Sequence, residues 1–198
     1  MSLVVADIGV GNTASMVLAL ERLGAGPRLS GEAACIAEAE RLIFPGVGAA
    51  GFAAARIEDL GLNDVLRRFD RPLLGVCLGM QLLFERSEEG DAPGLGRLAG
   101  TVKRLEPSPE RPSPHIGWNR LSKRKDDPLL EGVEDGAYVY FVHGYAASIT
   151  AATVASCSYG RSFSAVAREG QAWGCQFHPE RSGSVGARIL RNFLDLPC

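Results

Sequence analysis

The sequence predicts a three-layer α/β fold: a mostly parallel central sheet with helices on both faces, continued by an antiparallel or mixed strand extension. Three observations lead there. Short aliphatic runs without polar alternation recur in the first half, as in strands covered on both faces. Segments of helical apolar period alternate with them, the pattern of β-α-β crossovers. In the second half the runs follow one another with little helix between.

The elements can be justified in order. "LVVADI" (3–8) is an unbroken aliphatic strand. Residues 13–23 carry a helical period through Val17, Leu18, Leu20 and Leu23, and Gly24 stops it. "RLIFPG" (41–46) is a second buried strand, and 49–56 and 58–69 read as helices. "PLLGVC" (72–77) is a strand, followed at once by a helix over 78–87. "GRLAGTVKRLEP" and "WNRLSKR" are shorter strands around a proline-rich loop (106–115). "AYVYFVHGYAAS" (137–148) is extended, "TVASCSYG" with "FSAVARE" is a hairpin, and "AWGCQFH" (172–178) is a last strand. Residues 184–195 form a closing helix with Val185, Ile189, Leu190, Phe193 and Leu194 on its apolar side. Neither side of the proline-rich loop looks self-sufficient, so residues 1–198 are expected to form a single domain.

Composition narrows the function classes. The chain has 198 residues, 46% hydrophobic and 22% charged, ordinary for a globular protein with a full core. A net charge of -2 argues against a binder of nucleic-acid phosphates. The basic run Lys123–Lys125 is followed by Asp126 and Asp127 and reads as a solvated loop. No apolar run reaches the roughly 20 residues needed to span a membrane, and "MSLVVADIG" looks like a strand, not a signal peptide. The cytoplasm is the expected location. The 5 cysteines are odd in number and widely spaced, which suggests neither a disulfide framework nor a zinc site. Cys175 and His178 have a ligand-like spacing but no second pair to complete a metal site. No metal and no cofactor are expected.

The chemistry concentrates at Gly75-Val76-Cys77-Leu78-Gly79. G-x-C-x-G between a strand and a helix has the form of a nucleophile elbow. A sharp turn pushes the thiol beyond the strand ends, and flanking glycines remove Cβ atoms that would collide there. The next helix aims free N–H groups at the sulfur. Its dipole contributes about 0.3–1 kcal/mol, or ~2 when buried, against roughly 1.4 kcal/mol for one pKa unit. A fully formed thiolate therefore wants a second contributor, normally a histidine. A buried structural cysteine is the bland alternative, but it would need neither glycine.

Of His115, His143 and His178, the last is the best base. Pro179 keeps His178 extended, so Glu180, two residues on, faces the same way. A carboxylate on one imidazole nitrogen leaves the other for the thiol, the logic of a nucleophile–base–orienter triad. "FPGVGAAG" (44–51) supplies a glycine turn at the same sheet edge. A backbone N–H of Val47 or Gly48, with that of Leu78, would form an oxyanion hole. No Gly-Lys-Ser/Thr follows, so it is not a phosphate loop.

Together these segments resemble the class I (triad) glutamine amidotransferases over essentially the whole chain. "DIGVGNTASM" is similar to the family's first signature, "PGVGAAG" to its oxyanion strand and "LLGVCLGMQLLF" to its elbow. "PHIGWN" (114–119), "YFVHGY" (140–145) and "GCQFHPERSG" (174–183) follow in the family's order. The elbow with Met80-Gln81, "PHIGWN" and the ending "ARILRNFL" resemble the glutaminase subunits that serve imidazole glycerol phosphate synthesis in histidine biosynthesis. The resemblance implies glutamine as substrate, Cys77 as nucleophile, His178 as base and Glu180 as its orienter. It implies oxyanion amides at Val47 or Gly48 and Leu78. Substrate contacts fall at Gln81, Gly46, Gly144 and Tyr145. It implies a (β/α)8-barrel cyclase partner, with Asn12, Trp118, Tyr140 and Arg181 at or near the interface. Three positions depart from the family pattern: Gly144 replaces a usual serine, Val10 lies in the glycine-asparagine motif, and Arg181 replaces a usual lysine. Two other readings stay open: a triad amidase or esterase of another pathway, and a non-catalytic docking subunit of the same fold.

Overall fold

In the computed structural model, which describes residues 2–197, the first half of the chain builds the parallel layer. β1 (Leu3–Ala6) leads through α1 (Thr13–Arg22) to β2 (Arg28–Ser30), and α2 (Ala33–Glu38) leads on to β3 (Arg41–Gly46). α3 (Ala50–Asp59) and α4 (Asn63–Arg68) precede β4 (Leu73–Cys77), and α5 (Leu78–Leu83) follows it without a break. Alternation explains the layering. Leu3, Val5, Ile43 and Leu74 enter one core with Met16 and Leu20 of α1. Val4, Leu42, Phe44 and Leu73 enter the other with residues of α2 to α5. Successive side chains of a strand point to opposite faces, so an unbroken aliphatic strand needs cover on both.

The second half is built mostly of strands. β5 (Phe84–Ser87), β6 (Ala92–Pro93) and β7 (Leu98–Arg104) join β11 (Tyr145–Ala147) in a four-stranded sheet. Between them in the chain come β8 (His115–Arg120), β9 (Ser122–Lys123) and β10 (Tyr138–His143), with β8 and β10 paired antiparallel. β12 (Thr153–Tyr159) and β13 (Arg161–Glu169) form the expected hairpin, and β14 (Ala172–Cys175) precedes the closing helix α6 (Gly183–Asp195). The large sheet has the order β2-β1-β3-β4-β14-β13-β12-β9. It is parallel from β2 to β14 and antiparallel from there to β9. Helix α6 buries Ile189, Leu190 and Phe193 in the same core as α1.

Four expectations need correction. The helix over 78–87 stops at Leu83, because Phe84–Ser87 pairs with β7 as β5. The helices given as 49–56 and 58–69 are Ala50–Asp59 and Asn63–Arg68. Leu18 does not face the core: it is 52% exposed, and the inward residues of α1 are Met16 and Leu20, one turn apart. β2 and α2 were not anticipated; in "PRLSGEAACIAEAE" two short elements are too small to show a period.

Candidate active site

β3, β4 and β14 are parallel neighbours, so their C-terminal ends share one sheet edge. There Gly46 stands in register with Cys77. Cys77 has φ 54° and ψ -109°, a left-handed corner that is costly for any residue with a side chain. The corner exists because two glycines let the chain double back. A Cβ on Gly79 would lie 1.8 Å from the Phe44 carbonyl oxygen, and one on Gly75 would lie 2.8 Å from the Gly79 carbonyl. The thiol is 6% exposed. Its sulfur donates toward the Val142 carbonyl at 3.8 Å and accepts from Gln176 Nε2 at 3.8 Å.

Just beyond β14, His178 is extended (φ -98°, ψ 99°) and Pro179–Arg181 makes one 3-10 turn. That turn brings Glu180 Oε1 to 2.8 Å from His178 Nδ1. The backbone around it is tied down. His178 N–H donates to the Tyr140 carbonyl at 2.9 Å. The Ser182 hydroxyl donates to the His178 carbonyl at 2.7 Å and accepts from Tyr140 N–H at 3.0 Å. His178 Nε2 and Glu180 Oε2 are buried without hydrogen-bond partners. No Sγ–Nε2 bond is closed, yet the Cys77 sulfur acts on the ring. Burial pushes the imidazole pKa down, and the Cys77 and Glu180 side chains more than offset it, raising it to about 10.

The sign of the resulting pH dependence follows. A folded pKa above the unfolded value of 6.5 means that His178's proton stabilises the fold fully below 6.5. That contribution is lost as pH rises through about 10. The melting-temperature gap between the wild type and His178→Gln should therefore be widest at or below 6.5 and narrow toward about 10. Scanning calorimetry across that range checks it, and a gap that widens instead would reverse the assignment.

Beside the thiol is a cavity of about 210 Å³. Val47, Gly48, Leu78, Gln81 and Glu89 line it on the elbow side, and the 142–145 segment lines it opposite. The expected oxyanion residues are thus adjacent to Cys77. Gly48 has φ 106°, a conformation that favours glycine. Gly46 does not line the cavity; it ends β3 against Leu78. Gly144 and Tyr145 do line it. At Gly144 an added Cβ would make only ordinary contacts, with Ser113 Oγ at 3.6 Å and Pro114 Cβ at 4.0 Å, so space does not exclude a side chain there.

Gln81 is fixed by two bonds. Its Nε2 donates to the Tyr145 carbonyl at 2.9 Å and to Gln176 Oε1 at 3.1 Å. Both N–H groups are then used, which leaves Oε1 as its remaining hydrogen-bonding atom. Sequence reasoning missed Gln176 and Glu89. Glu89 carries the cavity's one acidic side chain, and its Oε2 accepts from Ala50 N–H at 2.9 Å. It thereby caps α3, whose own N-cap, Ala49, has no side chain able to do so.

The four residues expected at a partner interface lie along the same end of the molecule. Trp118 and Tyr140 are cross-strand partners with rings 5.9 Å apart, edge to face. The Arg181 guanidinium stands 5.6 Å over the Tyr140 ring. Asn12 caps α1 by accepting from Ser15 N–H, and α1 packs against the Pro179–Arg181 turn. Trp118 is 55% and Ile116 61% exposed on one strand face. Among the described residues, no three His, Cys, Asp or Glu side chains gather as a metal-holding group. Cys175 is buried inside the sheet, and burial pushes its thiol pKa up.

The chain is similar to known proteins over nearly its whole length. The family model "Glutamine amidotransferase class-I" matches residues 4–196. A curated protein of Xylella fastidiosa, "Imidazole glycerol phosphate synthase subunit HisH", is 53% identical over 190 residues, 96% of this chain and 95% of that one. A protein of the same description from Xanthomonas campestris pv. campestris is 52% identical over the same shares. Among solved structures, one described as a glutamine amidotransferase superposes with a TM-score of 0.76 at 21% identity, covering 98% of each chain. Another, described as PurLQS from Thermotoga maritima, gives 0.68 at 20% identity over 98% of this chain and 99% of that one. At those identities the superpositions speak for the fold alone. The sequence matches carry more, and by them this chain, with its cysteine corner and His-Pro-Glu turn, belongs to the class-I glutamine amidotransferases.

Proposed function

We propose that the protein is a glutaminase subunit of imidazole glycerol phosphate synthase in histidine biosynthesis. It hydrolyses L-glutamine to glutamate and ammonia and passes the ammonia to a (β/α)8-barrel cyclase, which forms imidazole glycerol phosphate and an aminoimidazole carboxamide ribotide. The observation that carries the reading is the Cys77 corner beside the small cavity, with the His178–Glu180 pair near enough for the sulfur to act on the ring. The whole of 1–198 works as one glutaminase domain, in the cytoplasm. Among the described residues no helix is long and apolar enough to cross a membrane.

The chemistry follows from the atoms. Before the attack the thiol proton sits on His178, whose raised pKa keeps the ring protonated, and Glu180 on Nδ1 leaves Nε2 to serve the sulfur. The Cys77 sulfur attacks the side-chain amide carbon of glutamine. Negative charge gathers on the amide oxygen, where the amides of Leu78 and of Val47 or Gly48 receive it. The C–N bond breaks as His178 returns its proton to the departing nitrogen, which leaves as ammonia. Water, deprotonated by His178, attacks the thioester, and glutamate is released with the thiol regenerated. Gln81 and Glu89 suit the substrate's amino-acid end, Glu89 as the anion for its ammonium group. No step requires a cofactor.

The strand face of exposed Ile116 and Trp118 and half-buried Tyr140, with Arg181 beside it, is the proposed cyclase contact. Free ammonia in neutral water is mostly ammonium and a poor nucleophile, which favours a docked acceptor. Gly48 leaves the peptide between it and Val47 free to turn. The isolated chain is therefore expected to turn over glutamine slowly, and the rate to rise when the cyclase and its nucleotide ligand are present. Following glutamate formation with and without them tests this: equal rates would remove the coupling, and no glutamate under either condition would remove the function.

A further inference from the structure

Two of the three histidines have no part in the chemistry above, yet both are buried: His115 is 3% and His143 5% exposed. They are direct cross-strand partners of β8 and β10. His143 Nδ1 lies 2.8 Å from the Tyr145 carbonyl oxygen. His115 Nδ1 lies 3.0 Å from His143 Nε2. Asn119 Nδ2 lies 3.3 Å from His115 Nε2.

These contacts fix every proton. A carbonyl only accepts, so His143 carries its hydrogen on Nδ1. Its Nε2 is then bare and only accepts, so His115 donates from Nδ1. The bare Nε2 of His115 accepts from Asn119. The same Tyr145 carbonyl also receives Gln81 Nε2, Gln81 donates to Gln176 Oε1, and Gln176 donates to the Cys77 sulfur. A continuous chain of contacts therefore runs from the β8–β10 pair to the substrate cavity and the nucleophile, with His143 and Gln81 both donating into the Tyr145 carbonyl at its middle.

We propose that His143, oriented by His115 and Asn119, is a positioning residue: it fixes the Tyr145 carbonyl as the shared anchor that sets Gln81 for glutamine and, through Gln176, the amide aimed at Cys77. The proposal rests on the reading of the cavity as the glutamine site. Two neutral rings are essential to it, since an added proton would set N–H against N–H: on His143 Nε2 across the 3.0 Å contact, and on His115 Nε2 against Asn119 Nδ2 at 3.3 Å. Burial supplies that condition, lowering the His143 pKa to about 3 and the His115 pKa to about 4. The charges that act on His143 from other elements are His115, His178 and Arg161, and all three push in the same direction. A leucine at 143 would fill the space without any of these bonds. The directed contacts, and their ending on substrate-facing groups, distinguish a positioning role from simple packing.

Two measurements decide it. Nitrogen-15 NMR of histidine-labelled protein should show Nδ1 protonated and Nε2 bare in both rings, unchanged between about pH 6 and about pH 8. A protonated Nε2 in either ring would overturn the chain. In the complex with the cyclase, His143→Leu should raise KM for glutamine roughly tenfold, the effect of one lost buried hydrogen bond, with a smaller change in kcat. His143→Asn, whose Nδ2 reaches the Nδ1 position, should recover most of that KM. An unchanged KM in the leucine variant, or no recovery with asparagine, would also overturn it. A wild-type complex inert toward glutamine would count against the glutaminase reading instead, and the tautomer pattern would still decide the chain.

Discussion

Cys77→Ser, assembled with the cyclase, is expected to lose glutamine-dependent turnover by about four orders of magnitude or more, the scale of nucleophile removal in other triad enzymes. Serine keeps the shape of the corner and loses what the corner supports. The 3.8 Å contacts to Val142 and Gln176 suit sulfur, but a hydroxyl oxygen needs about 2.5–3.0 Å. Oxygen is also far harder to deprotonate, and without the sulfur one of the two groups that raise the His178 pKa is gone. The complex should still assemble and should still make product when ammonia is supplied directly. Glutamate formation and ammonia-dependent product, measured in parallel, separate the two activities. Near-normal glutamate formation by this variant would mean that Cys77 is not the nucleophile.

The second large effect is on stability. Gly79→Ala places a methyl group 1.8 Å from the Phe44 carbonyl oxygen. Neither atom is the end of a flexible side chain, so β3 and the elbow must separate. The cost belongs at or above the top of the overpacking range, about 3 kcal/mol, against a total stability of about 5–15 kcal/mol. For a chain of this size that lowers Tm by about 6–12 °C, and the distorted corner should lose activity as well. Gly26→Ala is the control, because no atom lies within 4 Å of its added Cβ and its φ is not left-handed. Thermal melts of both variants give the comparison. A Gly79→Ala protein as stable as Gly26→Ala would contradict the close approach of Phe44.

Legibility in the sequence followed the range of the physics. The elbow and the His-Pro-Glu turn are local: each needs only a few consecutive residues, so Cys77, His178 and Glu180 could be read from spacing. The double-faced strands were equally plain, because Leu3–Ala6 and Arg41–Gly46 contain too few polar residues to face water. The end of α5 was not legible. Nothing in "LLFERS" says that Phe84 leaves the helix; its pairing with Leu98 does. Gln176 and the His115–His143 pair were hidden for the same reason. Their roles come from the register of β8 on β10 and from contacts spanning up to 99 residues. Position 144 shows the opposite limit, since the sequence flags the missing serine while only the structure reveals room for it.

A sheet ends in unpaired backbone groups that can recruit another chain and begin aggregation. In the large sheet one outer strand, Arg28–Ser30, has three residues, and the other, Ser122–Lys123, has two. Both carry a cation and a serine, and neither is long enough to seed a growing ladder. The broadest hydrogen-bonding surface of the molecule is thus closed to self-association at both margins.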